Sequence, residues 1–295
     1  MASRGTIVCV HGGVGTKPPA ERWLGYAVNI GRAEHRALDA VEAAVRALED
    51  DPHLNAGYGS VLNAAGELEL DAAIADGVTG QFGAVAGVRV RNPISLARKV
   101  LHETPHVLLA GAGAMALASR EDILRETTPN QRGRWLRAQA EAKLDPSAYA
   151  EEGGDTVGAI ALDASGALAA GSSTGGVFAK MPGRIGDCPV FGAGIYADAR
   201  VAVVGTGVGE VFLETLACLR VAGLVQAGAH PQRACSHVVQ QLQRRRRLPA
   251  GLLALDAEGR VGAAFHGKAW TVEGRGGPVH ATRLDGEPDA SAPDR

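Results

Sequence analysis

Cysteine is scarce in this chain and never closely paired. Cys9, Cys188, Cys218 and Cys235 form no Cys-x-x-Cys motif and no metal-ligand spacing. The pattern argues against a disulfide scaffold and a cysteine zinc site, and predicts free thiols in a reducing compartment. The nine histidines form no ligand cluster. Residues 1–6, Met-Ala-Ser-Arg-Gly-Thr, carry no apolar core of a secretion signal. The longest apolar runs are too short to cross a bilayer. A cytoplasmic protein without a membrane partner is therefore expected. An excess of one charge is also missing: 30 basic and 32 acidic residues leave a net −2, which offers no pull toward nucleic acid.

What the chain does have is apolar mass and glycine. Its 295 residues are 46% hydrophobic, enough for a large core. Forty glycines without a collagen-like period exceed the needs of ordinary turns. Many sit at strand ends beside polar residues, where backbone must approach something closely.

Thr6–Val10 reads as a buried strand entering a glycine turn, His11-Gly12-Gly13-Val14-Gly15. His11 reads as structural. Residues 33–50 form an amphipathic helix, with Leu38, Val41, Val45 and Leu48 at helical spacing. Residues 61–70 and 85–90 read as strand and hairpin material, with a short strand at 107–109. Residues 95–102 and 113–126 read as helices. From about 120 to 152 the chain turns polar, and a partly helical, partly mobile linker that tolerates cutting is expected there. Residues 201–204 form a strand, 207–222 a helix and 231–244 a helix opened by Pro231. Residues 251–264 form a hairpin. Arg244–Arg247 reads as a solvated face at a helix end, and the charged segment 284–295 as a disordered tail. Many hairpins imply largely antiparallel sheets, and helices on one face of each imply a layered α/β fold.

The most informative stretch is Gly153-Gly154-Asp155-Thr156-Val157. Two glycines allow strained backbone before a threonine that opens an apolar strand. Were the Asp155–Thr156 bond to break, Thr156 would carry a hydroxyl and a free α-amine together. That amine, with a pKa of roughly 7.7–8.0, can act as base for its own hydroxyl. Asp163-Ala164-Ser165-Gly166-Ala167 reads as the turn of a hairpin. If Leu162 pairs with Leu168, Thr156 lies opposite Thr174 and the two hydroxyls share a face. A one-residue slip would put Ser173 there instead, and a simple cross-strand threonine pair would need only this register.

Two further groups bear chemistry. Arg184 and Asp187 lie in a loop shaped by Pro182, Gly183 and Pro189. A guanidinium takes a carboxylate bidentately and a carboxylate takes an ammonium, so together they match an α-amino acid end; an internal Arg184–Asp187 salt bridge is the plainer alternative. In Gly205-Thr206-Gly207-Val208-Gly209 a strand turns into a helix. Its amides suit a phosphate or an oxyanion, but the glycine spacing fits a dinucleotide fingerprint poorly.

Taken together, these residues resemble the plant-type asparaginase and isoaspartyl aminopeptidase family of N-terminal-nucleophile hydrolases. The resemblance spans residues 6 to about 265. Its markers are His11-Gly12-Gly13, Leu54-Asn55-Ala56-Gly57-Tyr58-Gly59, Asp71 to Gly77, Gly154-Asp155-Thr156-Val157-Gly158 and Ser173-Thr174-Gly175-Gly176. Pro182-Gly183-Arg184-Ile185-Gly186-Asp187, Gly192 to Asp198 and Thr206-Gly207-Val208-Gly209-Glu210 complete the set in order.

The resemblance implies an αββα sandwich with two central antiparallel sheets in a single domain. It implies self-cleavage between Asp155 and Thr156 into an α chain (1–155) and a β chain (156–295), with two αβ units pairing. Thr156 would be nucleophile and Thr174 its orienting hydroxyl. Thr206 and Gly207 would form the oxyanion hole, and Asn55 would approach the nucleophile. Arg184 would hold the substrate α-carboxylate, and Asp187 with Gly209 the α-amine. No cofactor is implied for catalysis. A structural sodium ion would sit on the carbonyls of Leu48, Glu49, Asp51, Leu54, Ala56 and Tyr58. The substrates would be L-asparagine and N-terminal β-aspartyl dipeptides.

The chain departs from the family at three places. Leu54 replaces Phe, Asp155 replaces Gly, and Phe265–Trp270, read as the C-terminal strand, lacks an Asn-Thr…Met ending. Asp155 alone favours a glycosylasparaginase-like activity. An inactive binding relative would have no use for Thr156, Thr174, Thr206, Arg184 and Asp187 together.

Overall fold

The computed structural model describes residues 5–15, 18–145, 156–274 and 277–284. Asp155 and the preceding glycines lie outside these residues, as does the tail from 285 onward. The chain runs β1 (Ile7–Val14), α1 (Pro18–Arg32), α2 (Ala37–Glu49), β2 (Leu70–Asp76), β3 (Gln81–Val88), α3 (Pro93–Glu103), β4 (Leu108–Ala110), α4 (Gly111–Met115), α5 (Pro129–Ala140). It continues β5 (Val157–Leu162), β6 (Leu168–Thr174), β7 (Ile195–Ala197), β8 (Val201–Gly207), α6 (Gly209–Thr215), α7 (Ala217–Gln226), α8 (Pro231–Arg245). It closes with β9 (Ala250–Asp256), β10 (Val261–His266), β11 (Trp270–Gly274), β12 (Gly277–Pro278) and β13 (Thr282–Arg283).

These strands build two sheets, ordered β12-β11-β1-β5-β6-β2-β3-β4 and β13-β10-β9-β8-β7. Pairing is antiparallel except for β3 with β4 and β10 with β13. Period-two alternation divides each central strand between two cores. Ala159 and Ala161 face Val41, Val45 and Leu48 of α2, while Ile160 and Leu162 face Val204, Leu253 and Leu255 of the second sheet. Val201 and Val203 turn the other way, onto Val221 of α7 and Val238 and Val239 of α8. Burial on both faces explains why β5, Val-Gly-Ala-Ile-Ala-Leu, reads as unbroken apolar sequence. Small residues dominate because helices dock closely: a Cβ on Gly171 would stand 2.4 Å from Val41 Cγ1.

The β5–β6 turn also reaches out of its own sheet. Asp163 Oδ1 accepts from Ser165 N and Ala167 N, while its Oδ2 accepts from Ala37 N at 2.9 Å, the first residue of α2. Helix α2 has no side-chain cap of its own at Arg36, so a hairpin 126 residues away satisfies one of its orphan amides. The β9–β10 turn repeats the local device, with Asp256 Oδ1 taking Glu258 N and Arg260 N.

Several expectations change. His11 to Val14 continue β1 rather than forming a turn. Residues 61–69 are not strand, and the strand instead spans Leu70–Asp76. The helix expected over 113–126 stops at Met115, and Ile123 bridges Val90 instead. The helical part of the polar segment is α5, whose Trp135 is buried and donates from Nε1 to Asn63 O at 2.9 Å, while residues 146–152 lie outside the described residues. One helix over 207–222 becomes α6 and α7, split by Leu216 in the left-handed region at φ 50°. Phe265–Trp270 is not one strand but the passage from β10 to β11, in different sheets. In the arginine run, Arg245 and Arg246 both bond Glu214 at the surface. No described helix is long and apolar enough to cross a membrane.

Candidate active site

The hairpin register places the two hydroxyls. Leu162 pairs with Leu168 and Val157 with Ser173. One residue further, at the open end, Thr156 Oγ1 donates to Thr174 Oγ1 at 3.2 Å, and Gly176 N donates to the same oxygen at 3.0 Å. Both threonines are buried. Thr174 also pairs with Asp71 of β2, so the site lies at the ends of interior strands, facing β8.

A small pocket lies here, lined by Thr156, Thr174, Gly176, Val177, Arg184, Asp187, Gly207 and Gly209. At about 10 Å³ it is closed down to roughly one water molecule. Gly207 ends β8 at φ 145°, and a Cβ there would stand 2.4 Å from Pro249 O; only glycine brings this main chain to the pocket wall. Thr206 is buried beside it. Helix α6 has seven residues, so single amides rather than a long helix dipole supply any anion site.

Arg184 and Asp187 share the pocket without forming the internal salt bridge. Arg184 Nε and Nη2 instead donate to Glu210 Oε1 and Oε2, at 3.0 and 2.9 Å. Burial pushes the Asp187 carboxyl up to about 7, against the opposing pull of Arg184. Asp187 Oδ2 is buried without a hydrogen bond among the described residues. It is an acceptor waiting for a donor. Behind this layer Lys180, 2% exposed, donates from Nζ to Glu69 O at 2.6 Å. Asp71 accepts from Gly87 N at 2.9 Å and Gly186 N at 3.3 Å, tying the Arg184 loop to β2.

Asn55 arrives beside the threonines but spends its amide on main chain. Its Nδ2 donates to Gly176 O at 2.7 Å and its Oδ1 accepts from Val61 N at 3.0 Å. It therefore shapes the turn after Thr174 rather than touching the Thr156 hydroxyl. His11, read as structural, pairs across β1–β5 with Gly158. A Cβ on Gly158 would stand 2.4 Å from its Nε2. Burial holds its ring neutral, with a pKa near 3, partly offset by a contact with the Thr156 main chain that falls short of a full hydrogen bond. No spacing in the sequence signals that contact. Glu210 had a signal, as the last residue of Thr206-Gly207-Val208-Gly209-Glu210, but its partner lies 26 positions away.

Two tests follow from this geometry. Thr174→Val keeps the volume and removes the acceptor, and turnover is expected to fall by about 10²–10⁴-fold, the range for a group that orients or shuttles a proton; folding is checked by thermal melting. The raised Asp187 carboxyl makes a statement about stability. A carboxyl held above its ordinary value stabilises the fold while protonated, and that contribution is lost as pH rises through about 7. Relative to wild type, Asp187→Asn is expected to lose less melting temperature between pH 5 and pH 8. Equal losses would show that Asp187 ionises freely.

Residues 19–276 match the asparaginase family. The chain is 40% identical over 305 aligned residues to the isoaspartyl peptidase of Salmonella typhimurium, covering 91% of this chain and 96% of that protein. It is 38% identical to the plant-type L-asparaginase of Pyrococcus horikoshii, covering 88% and 93%. It is 43% identical to the isoaspartyl peptidase/L-asparaginase of Rattus norvegicus, covering 70% and 67%.

Proposed function

The chain belongs to the asparaginase family, and from that premise we propose that it hydrolyses L-asparagine and N-terminal β-aspartyl dipeptides with Thr156 as nucleophile. The observation carrying this reading is the 3.2 Å contact between the Thr156 and Thr174 hydroxyls beside Arg184 and Asp187. Maturation begins when the Thr156 hydroxyl attacks the Asp155 carbonyl carbon. The peptide nitrogen leaves as the Thr156 amine, and water hydrolyses the resulting ester, giving chains 1–155 and 156–295.

In turnover the Thr156 amine takes the hydroxyl proton while Oγ1 bonds to the side-chain carbonyl carbon of the substrate. Thr206 and the main chain at Gly207 receive the oxyanion. The proton passes to the leaving nitrogen, which departs as ammonia or the second amino acid. Water then cleaves the aspartyl ester and restores the hydroxyl. Arg184 binds the α-carboxylate, and Asp187 with Gly209 the α-amine. The three cores support an αββα layering, and two such αβ units would pair with each other. Four free, buried cysteines accord with a cytoplasmic setting.

The turn through residues 48–58 fits a structural sodium ion. A Cβ on Gly59 would meet Leu54 O at 2.1 Å and Asp51 O at 2.8 Å, and one on Gly57 would meet Glu49 O at 2.4 Å. Asp51 Oδ2 is buried without a hydrogen bond among the described residues. The carbonyls of Leu48, Glu49, Asp51, Leu54, Ala56 and Tyr58 would hold the ion, each having two lone pairs to share. It would supply no chemistry beyond fixing the turn that carries Asn55.

Incubating the purified protein with L-asparagine, β-aspartyl-leucine and N-acetylglucosaminyl-asparagine tests the assignment. Release of aspartate from the first two supports it. Turnover of the third alone would move the activity to the glycosylasparaginase side that Asp155 favours.

A further inference from the structure

Glu210 stands outside this chemistry, yet it makes a two-point contact with the pocket wall. Its carboxylate takes Arg184 Nε at 3.0 Å and Nη2 at 2.9 Å. Burial alone would push its carboxyl up, but the hydrogen bonds and charge of Arg184 outweigh this and hold it below its ordinary value. The guanidinium is otherwise bracketed by residues without side chains. A Cβ on Gly209 would stand 2.9 Å from Nη2, and on Gly186 and Gly176 at 2.8 and 3.4 Å from Nη1. Glycine main chain closes on the planar fork from these sides, and the directional contacts that set its rotation are the two hydrogen bonds to Glu210. The Arg184 side chain is 16% exposed and that of Glu210 46%, so the pair lies where pocket meets solvent.

We propose that Glu210 is a positioning residue: it grips the Nε–Nη2 edge of Arg184 and thereby turns the Nη1 side toward the pocket as the fork for the substrate α-carboxylate. The inference rests on the reading of Arg184 as the carboxylate anchor. A guanidinium has five donors, and the edge Glu210 uses leaves the Nη1 hydrogens and one Nη2 hydrogen for a second carboxylate. The sign of the effect separates positioning from simple charge. As a charge, Glu210 repels an incoming carboxylate, and removing it should tighten binding. As an orienter it has the reverse effect, because a misplacement near 1 Å costs about 10²-fold.

The test is a double-mutant cycle on the mature enzyme, measuring kcat and KM for L-asparagine in wild type, Glu210→Ala, Arg184→Ala and the double variant. Glu210→Ala is expected to raise KM by about 10- to 100-fold with a smaller change in kcat. In the Arg184→Ala background its removal should cost little more, since coupled residues do not add. Glu210→Gln keeps an acceptor for Nε and should recover part of the loss, with melting temperature confirming an intact fold in each case. An unchanged or lowered KM in Glu210→Ala, or a full additive loss in the double variant, overturns the proposal. An Arg184→Ala enzyme with wild-type KM would instead overturn the assignment of Arg184, and the positioning role with it.

Discussion

Thr156→Ala is expected to remain a single full-length chain and to release no detectable aspartate from L-asparagine or β-aspartyl-leucine. Both outcomes follow from one atom. In the proposed mechanism the hydroxyl is the attacking group in maturation and again in turnover, and alanine supplies neither. The fold should survive, because position 156 precedes β5 and its side chain meets Thr174 through a single hydrogen bond. Losing one such bond costs only about 0.5–1.5 kcal/mol. N-terminal sequencing of the wild-type smaller chain should begin at Thr156. Cleavage of the alanine variant at the same bond would remove Thr156 from the mechanism.

The second large effect concerns the substrate. N-acetyl-β-aspartyl-leucine is expected to be hydrolysed at least about 10²-fold more slowly than the free dipeptide. Acetylation removes the ammonium that Asp187 would bind, leaving a buried carboxylate facing an amide. A buried charge stranded without its partner costs on the order of 3–5 kcal/mol, and each 1.4 kcal/mol is a factor of about ten. Asp187 can avoid part of that cost by taking a proton, since burial already holds its carboxyl up to about 7. The discrimination should therefore be sharper at pH 8 than at pH 6. Equal rates for the two peptides would show that Asp187 does not read the amine.

Local chemistry made the Thr156–Thr174 hairpin legible. Asp163-Ala164-Ser165-Gly166 specifies its turn, with Gly166 at φ 89°, and the turn fixes the register that brings Thr156 to Thr174. The twin turn at Asp256, with Gly259 at φ 81°, was readable for the same reason. Helix α1 escaped notice because Gly25 and Gly31 interrupt its pattern, although Gly31 is where α2 comes close: a Cβ there would stand 2.8 Å from Ala40 O. Strand β2 was hidden by Asp71, a buried acid whose justification lies in amides of Gly87 and Gly186, far along the chain. The ends of α4 and α6 were misjudged because alanine and leucine favour helix locally, while tertiary contacts decide where it stops. In the site, beyond the Thr156–Thr174 pair, residue types were legible but partnerships were not. Nothing in the spacing says that Arg184 is held by Glu210, or that Asn55 serves Gly176 rather than Thr156.

Strand β5 lies between β1 and β6, and β6 lies between β5 and β2. A cut before Thr156 thus leaves one continuous sheet woven from two polypeptides, with Asp163 of the second still clasping Ala37 of the first. Under the proposed self-cleavage, folding would precede the cut as a unimolecular event, with both halves tethered. Afterwards, reassembly after unfolding is bimolecular and slows on dilution. The proposed maturation would therefore work as a ratchet: the enzyme would be assembled once, under conditions its separated chains never meet again. Its lifetime is then governed by how slowly the sheet opens rather than by how readily it reforms.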